Sequence, residues 1–289
     1  YGEVWPAGTP QLPASELAMK NNVYQMPGIA AFSDEFRDSL RGPFGKDEKG
    51  AFVIGRPGHE TGVKFGIVGG IAHPQINNDS VRRVPKIWAN TPSQFISYVS
   101  CHDDLCLTDR LKVTLPGASV PELKALQKLA ETAVFTSQGV PFIFAGDEIL
   151  RDRKGVVNAY NKPDEINAID WRNKTAYREV FDYVRGLIAM RKAHPAFRMG
   201  NADLIRKHLE FIHVPATNAF RIKGSPCGDK WLNTIVVLNA RTEPIKVNIP
   251  EGKYWIACRD GKIDLILGLG MITGNQITVS PRSAMIIHQ

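Results

Sequence analysis

The chain has few cysteines, four among 289 residues, and no Cys-x-x-Cys pair. Cys101, Cys106, Cys227 and Cys258 are therefore predicted to be free thiols, because a disulfide framework or a zinc site needs closer and more regular spacing. No apolar run approaches the ~20 residues of a membrane-spanning helix, so no membrane partner is predicted. The motifs Gly-x-x-x-x-Gly-Lys-Ser/Thr and Gly-x-Ser-x-Gly are also missing, which disfavours nucleotide binding and a serine hydrolase.

The charge balance is basic, with a formal net charge of +7 and a pI of about 9.2. A basic balance can serve nucleic-acid binding, but the lysines and arginines are scattered along the chain. The densest cluster, Arg151, Arg153 and Lys154, is interrupted by Asp152. We therefore predict no nucleic-acid partner. With 43% hydrophobic residues, the chain is long enough for one large domain or two unequal ones.

The residue pattern changes near position 205. Before it, short apolar runs at 29–32, 95–99 and 140–145 alternate with amphipathic helices, and the clearest helix begins at a capping box after Ser119. This order predicts parallel βα units. After it, seven short apolar segments separated by glycine, proline and asparagine predict an antiparallel β-sandwich. The predicted fold is α/β plus all-β, with domains at 1–204 and 205–289.

Acidic residues follow several of the predicted strands. Glu3 lies between two aromatic residues, and Asp103 and Asp104 follow His102 after the apolar run that ends at Val99. Paired carboxylates flanked by aromatic rings suit glycoside hydrolysis, in which one acid protonates the leaving oxygen and another stabilises positive charge. The same acids could instead cap the next helix, and His102 could be a structural ion-pair partner.

Five segments in one order resemble type I pullulanases, the debranching branch of the α-amylase superfamily. Residues 1–5 (Tyr-Gly-Glu-Val-Trp) resemble the general-acid motif of that family, and residues 98–104 resemble its His-Asp segment. Residues 33–38, 136–148 and 158–171 are similar to further segments of it. Val4 and Asp104 differ from the Pro or Gly and the Asn that the family commonly has there.

The resemblance implies a retaining α-glucan hydrolase acting on α-1,6 linkages of pullulan, branched starch or glycogen. Glu3 would be the general acid and Asp103 the stabiliser of the transition state. Sugar-binding residues would be His102, Trp5, Asp104, Tyr160 and Asp164. No cofactor and no metal ligand is predicted; calcium occurs in relatives, but no oxygen-rich loop of recognisable spacing is present.

The resemblance also implies an architecture, namely strands five to eight of a (β/α)8 barrel in residues 1–204 and a C-terminal β-sandwich in 205–289. The first four strands and the segment with the nucleophile would lie outside this chain. We therefore expect the complementary N-terminal half as a partner, and the chain alone to be inactive. The cellular compartment is not predicted. An α-1,4-acting amylase, a glycogen-debranching or isoamylase-type relative, and a non-catalytic glucan-binding fragment stay open as alternatives.

Overall fold

The computed structural model describes residues 1–6, 8–45, 49–81 and 87–289. The helices are α1 (Asp34–Arg41), α2 (Glu60–Ile67), α3 (Leu107–Thr114), α4 (Val120–Thr136), α5 (Asp164–Asn167), α6 (Asn173–Ala176), α7 (Arg178–Ala193) and α8 (Ala202–His208). The strands are β1 (Ala31–Phe32), β2 (Phe95–Ser97), β3 (Val140–Pro141), β4 (Leu209–Ile212), β5 (Asn218–Lys223), β6 (Asn233–Asn239), β7 (Ile245–Arg259), β8 (Lys262–Ile263), β9 (Met271–Val279) and β10 (Ser283–His288). Over the described ranges, none of the helices has the length and apolar character needed to cross a bilayer.

The first three strands form a parallel sheet in the order β1-β2-β3, and Gly2 forms a further parallel bridge to Ala31. Four chain segments therefore lie side by side in sequence order, with their carboxyl ends at one edge. The strands are shorter than the apolar runs predicted. The amide of Phe142 still donates to the Ser97 carbonyl (2.9 Å), but Asp147 N then donates to Phe144 O and closes a turn. Strand β3 is thus shorter than predicted because the chain turns at residues 144–147.

The two long helices agree with the predicted ones. The Ser119 side chain accepts from Glu122 N and caps α4, as its sequence indicates. Helix α7 begins at Arg178 rather than near Thr175, because the preceding residues form the separate short helix α6. The glycine-rich stretch 39–92, in which no helix could be resolved from the sequence, contains α2. Gly62 and Gly66 allow α2 to lie against Ser39 and Phe36 of α1, where a β-carbon would clash.

The C-terminal strands are antiparallel and form one continuous sheet in the order β4-β5-β6-β10-β7-β8, with β9 paired to β7. The predicted segments 245–249 and 254–258 are one long strand, β7, whose register shifts between Asn248 and Gly252. All of these strands are hydrogen-bonded in one sheet, and part of that sheet encloses a separate hydrophobic core. That core contains Ala219, Ile235, Val237, Ile245, Val247, Ile249, Tyr254, Ile256, Ile277, Val279, Met285 and Ile287.

The other face of this sheet packs against α4 and α7. The Tyr183 hydroxyl contacts Cys258 Sγ at 3.1 Å and Thr132 Oγ1 at 2.7 Å. The apolar residues of this face belong to the same core as the helices and the parallel sheet. All four cysteines are free, as predicted, and three of them are buried.

A stacked aromatic cluster joins the end of α7 to the sheet. The Trp231 ring stacks on His194 (centroids 3.6 Å apart) and on His288 (4.0 Å). His194 Nδ1 lies 2.8 Å from Asp229 Oδ1. Burial and the neighbouring His194 lower the pKa of His288 to about 4, although Asp229 acts in the opposite direction. His288 is therefore neutral in the folded protein near neutral pH.

We expect this cluster to make the stability of the protein fall in mild acid. The unfolded chain takes up a proton at His288 below about pH 6.5, whereas the folded chain does so only near pH 4. The stability that neutral His288 contributes is thus present above pH 6.5 and lost towards pH 4. The loss should be about 1–2 kcal/mol, a figure reduced for the solvent that still reaches the ring. Thermal melting of His288→Phe should be less sensitive to pH over this window than wild type, whereas His213→Asn at an exposed position should not differ from it.

Candidate functional site

A pocket opens at the carboxyl ends of the parallel strands. It has a volume of about 230 Å³ and is lined by Glu3, Trp5, Phe32, Asp34, Arg37, Phe44, Tyr98, Cys101, His102 and Asp103. A larger cleft of about 520 Å³ lies between α4, α7 and the turn before β10. Its charged groups are paired, since Lys124 Nζ lies 2.7 Å from Glu179 Oε1 and Lys128 Nζ donates to the Gly261 carbonyl (3.1 Å). The smaller pocket, which holds several carboxylates and aromatic rings, is therefore the candidate site.

Glu3 is held between two aromatic side chains of the pocket. Its Oε1 lies 2.8 Å from His102 Nε2, and its Oε2 accepts a hydrogen bond of 2.6 Å from Trp5 Nε1. The Glu3 and His102 side chains are 45% and 63% exposed, so both are open to a ligand. The backbone next to Glu3 is fixed because Gly2 N donates to Ala30 O and Gly2 O accepts from Phe32 N. The structure thus brings Glu3, Trp5, His102 and Asp103 together.

The turn between Glu3 and Trp5 is strained at Val4. Its φ of +50° lies in the left-handed region, where a β-branched residue is an outlier. For a residue with a β-carbon this conformation costs about 1–2 kcal/mol. The turn allows the Trp5 indole to reach back to Glu3, and the partly buried Val4 packs against the core. A glycine at this position would adopt the turn without this strain.

Asp34, Arg37 and Tyr98 form the opposite wall of the pocket and were not among the predicted site residues. The Tyr98 hydroxyl donates to Asp34 Oδ1 (2.9 Å) and accepts from Arg37 Nη1 (2.9 Å). Burial raises the pKa of Asp34, but Lys20, Arg37 and the Tyr98 hydroxyl outweigh it, so that the pKa is lowered overall. Asp34 is therefore an anion at neutral pH. The available signal was the position of residues 33–38 directly after a strand.

Asp104, which we predicted to bind sugar, does not line the pocket. Its side chain is fully buried, and Oδ2 lies 2.9 Å from Arg41 Nη2 and 3.4 Å from Arg110 Nη2. Oδ1 accepts from Gly45 N. The backbone of Asp104 is left-handed (φ +64°), which turns its side chain inward while Asp103 lines the pocket. The two arginines also compensate the negative charge that Asp104 would otherwise add beside Asp103.

Tyr160 and Asp164 do not line the pocket of Glu3. Tyr160 is 85% exposed on the loop before α5. Asp164 begins α5 and lines a separate groove with Arg151, Asp152 and other charged residues. Any contact of these two residues with a ligand in the pocket would need a ligand long enough to extend beyond it.

The acids that follow β3 are also outside the pocket. Asp147 is buried, and burial, together with the charge of Glu148, raises its pKa to about 7, while Ser100, Arg41 and Arg151 act in the opposite direction. Burial and the neighbouring Asp147 raise the pKa of Glu131 well above its usual range. Glu148 Oε2 accepts from Gly146 N and holds the turn after β3. Among the residues described, no group of three or more His, Cys, Asp or Glu side chains is arranged to hold a metal ion.

The chain is similar to pullulanases of known sequence and structure. A family model described as the all-beta domain of pullulanase matches residues 205–262. The pullulanase of Bacillus subtilis (strain 168) is 34% identical over 260 residues, which is 89% of this chain and 35% of that protein. The solved pullulanase of Bacillus acidopullulyticus superposes with a TM-score of 0.88 at 34% identity, covering 100% of this chain and 34% of the other. A B. subtilis pullulanase solved with maltose superposes with a TM-score of 0.88 at 31% identity, covering 99% of this chain and 39% of the other. The chain thus spans between about a third and two fifths of the length of these relatives.

Proposed function

Because this chain belongs to the pullulanase family, we propose that it is part of a retaining α-glucan debranching hydrolase that cleaves α-1,6-glucosidic bonds. The observation that carries this proposal is the contact of Glu3 with both His102 and Trp5 in a pocket that also contains Asp103. A carboxyl group that can donate a proton, a second carboxylate and an indole surface at the carboxyl ends of parallel strands suit glycoside hydrolysis. The maltose bound to a B. subtilis relative supports an α-glucan ligand.

In this proposal Glu3 is the general acid and base. It protonates the glycosidic oxygen as the bond breaks and later activates the water that releases the product. The Trp5 N–H holds one carboxyl oxygen, so that the other, Oε1, is directed towards the leaving oxygen. His102 occupies that oxygen in the free protein. A bound glucan takes its place, and the imidazole then donates to a sugar hydroxyl.

Asp103 stabilises the positive charge that develops on the sugar ring in the transition state. A carboxylate in this partly enclosed pocket is more effective than one in bulk solvent, because Phe32, Tyr98 and Cys101, which line the same pocket, lower the local dielectric constant. The Trp5 indole, which is 60% exposed, offers a flat surface for a sugar ring. Tyr160 and Asp164 would contact only the outer units of a longer glucan.

The nucleophile and the rest of the barrel are proposed to come from the remainder of the enzyme. A retaining mechanism needs a nucleophilic carboxylate about 5–5.5 Å from the acid. The four parallel segments at Gly2, β1, β2 and β3 support an assignment to strands five to eight, with the domain boundary kept at 204/205. Val140 of β3 and Tyr1 are exposed at the two edges of this sheet, where the complementary half would continue it.

The test is the activity of the complete enzyme, by which we mean this chain together with the remaining two thirds of the length found in its relatives. We expect it to hydrolyse pullulan and to leave amylose, which has only α-1,4 bonds, intact. Proton NMR should show the α-anomer as the first product, because the mechanism retains configuration. This chain alone should not hydrolyse either glucan. Hydrolysis of amylose without pullulan, or a β-anomeric first product, would contradict the proposal.

A further inference from the structure

The turn that carries Asp103 is held by the buried guanidinium of Arg153. Arg153 is 2% exposed, and its Nη1 donates to the His102 carbonyl at 3.0 Å while its Nη2 donates to the Asp104 carbonyl. These are the carbonyls of the residues on either side of Asp103. The peptide between them is also constrained, because Asp104 N donates to Asp103 Oδ1 (3.0 Å). Arg153 thus binds the turn on both sides of Asp103, and the Asp104 amide between these contacts orients the Asp103 carboxylate.

Arg153 is itself fixed by a different element. Asp109 lies in the first turn of α3, and its Oδ2 accepts from Arg153 N at 2.7 Å while its Oδ1 accepts from Gly155 N at 2.8 Å. The guanidinium also lies over the Phe144 ring, 5.5 Å from its centroid. Rotation of the side chain would break both carbonyl contacts at once. The loop after β3 is therefore linked rigidly to the loop after β2.

The conformation that Arg153 holds is one that the backbone does not favour. Asp104 has a φ of +64°, and such backbone strain persists only where the surrounding contacts fix it. Arg41, Arg110 and Gly45 hold the side chain of Asp104, but Arg153 is the group that binds its carbonyl. Relaxation of this turn would rotate the peptide that orients Asp103.

We propose that Arg153 is a positioning residue, which sets the orientation of the Asp103 carboxylate in the pocket by binding the carbonyls of His102 and Asp104. This rests on the proposed function for the role of Asp103, but the binding of the two carbonyls by Arg153, called the clamp below, is independent of it. Since a misplacement of about 1 Å can cost about 100-fold in rate, Arg153→Met should lower kcat on pullulan by about 10- to 100-fold. KM should change less than kcat, because Arg153 does not line the pocket and acts mainly on the orientation of Asp103. Arg153→Lys keeps the charge but lacks the planar guanidinium that can bind two carbonyls. Its kcat should therefore lie between those of the wild type and Arg153→Met.

Arg191→Met is the matched control in the complete enzyme. Arg191 is also a buried guanidinium that donates to carbonyls, among them those of Phe135 (3.1 Å) and Gly139 (2.6 Å), but it does not contact the Asp103 turn. It should lower the melting temperature while leaving the kcat of the folded enzyme unchanged. Equal losses of kcat in Arg153→Met and Arg191→Met, at equal folded fraction, would mean a general effect of destabilisation and would overturn the proposal.

Amide hydrogen exchange tests whether Arg153 holds the turn, and it does so without a measurement of enzyme activity. Mass spectrometry of peptides covering residues 100–106 should show at least about tenfold faster exchange in Arg153→Met than in Arg191→Met, because the turn opens locally. Unchanged exchange together with unchanged kcat would overturn the proposal. If the wild-type enzyme does not cleave pullulan, the proposed function fails, whereas the exchange comparison still decides whether Arg153 holds the turn.

Discussion

Glu3→Gln in the complete enzyme is expected to lower kcat on pullulan by about 10²- to 10⁴-fold, the usual contribution of a general acid or base. Glutamine has the same shape as glutamate, and its amide oxygen can still accept from Trp5 Nε1, which lies 2.6 Å from Glu3 Oε2. The pocket should therefore keep its geometry. What is lost is the exchangeable proton, so the leaving oxygen departs unprotonated and water is not activated. Initial rates of reducing-sugar release measure the effect.

A substrate that needs no proton separates this role from a loss of structure. A maltooligosaccharyl fluoride has a leaving group that departs without an acid, and azide attacks the glycosyl-enzyme without a base. With both present, Glu3→Gln should recover most of the wild-type rate, whereas it stays slow on pullulan. Trp5→Phe, which keeps a ring but removes the N–H that holds Glu3, should show a smaller loss on pullulan. A Glu3→Gln enzyme equally slow on both substrates would show that Glu3 does not act by proton transfer.

The sequence was sufficient to predict that Glu3, His102 and Asp103 meet, because the order of the parallel strands decides it. Parallel strands bring their carboxyl ends to one edge, so residues that follow different strands, such as Glu3 and His102, converge although they are far apart in sequence. The cap of α4 at Ser119 could be predicted for a local reason, since its partner is the amide of Glu122 three residues later. Both predictions depend on the order of elements and on short-range chemistry.

Side-chain direction could not be predicted in the same way. Asp103 and Asp104 are adjacent and chemically identical, yet one lines the pocket and the other is buried. The difference comes from a left-handed backbone at Asp104 and from Arg41, which lies 63 residues earlier in α1. Likewise, Asp34 becomes part of the pocket through Tyr98 and Arg37. Such choices depend on tertiary partners that no local pattern displays. The continuous course of β7 was missed because its bulge, at 248–252, resembles a turn in sequence.

Arg41→Met is expected to destabilise the protein by about 3–5 kcal/mol, the cost of leaving one member of a buried ion pair without its partner. The side chains of Arg41 and Asp104 are fully buried, 2.9 Å apart, and Arg41 Nη1 also donates to Leu105 O (2.5 Å). Methionine fills much of the space but satisfies neither acceptor. Asp104 is then left with Arg110 at 3.4 Å and Gly45 N. The melting temperature of the complete enzyme, at a fixed heating rate, measures the change.

Two further variants decide whether this effect comes from the buried charge. Arg206→Met removes a slightly shorter but exposed ion pair with Asp203 (2.7 Å), and it should cost less than about 1 kcal/mol, because solvent already screens that pair. Replacing Asp104 by Asn in the Arg41→Met background removes the unpaired charge, so part of the lost stability should return. Asparagine is also the residue that the family commonly has at this position. If Arg41→Met melts like Arg206→Met, or if Asp104→Asn lowers its stability further, the Arg41–Asp104 pair does not determine the stability of the turn beside Asp103.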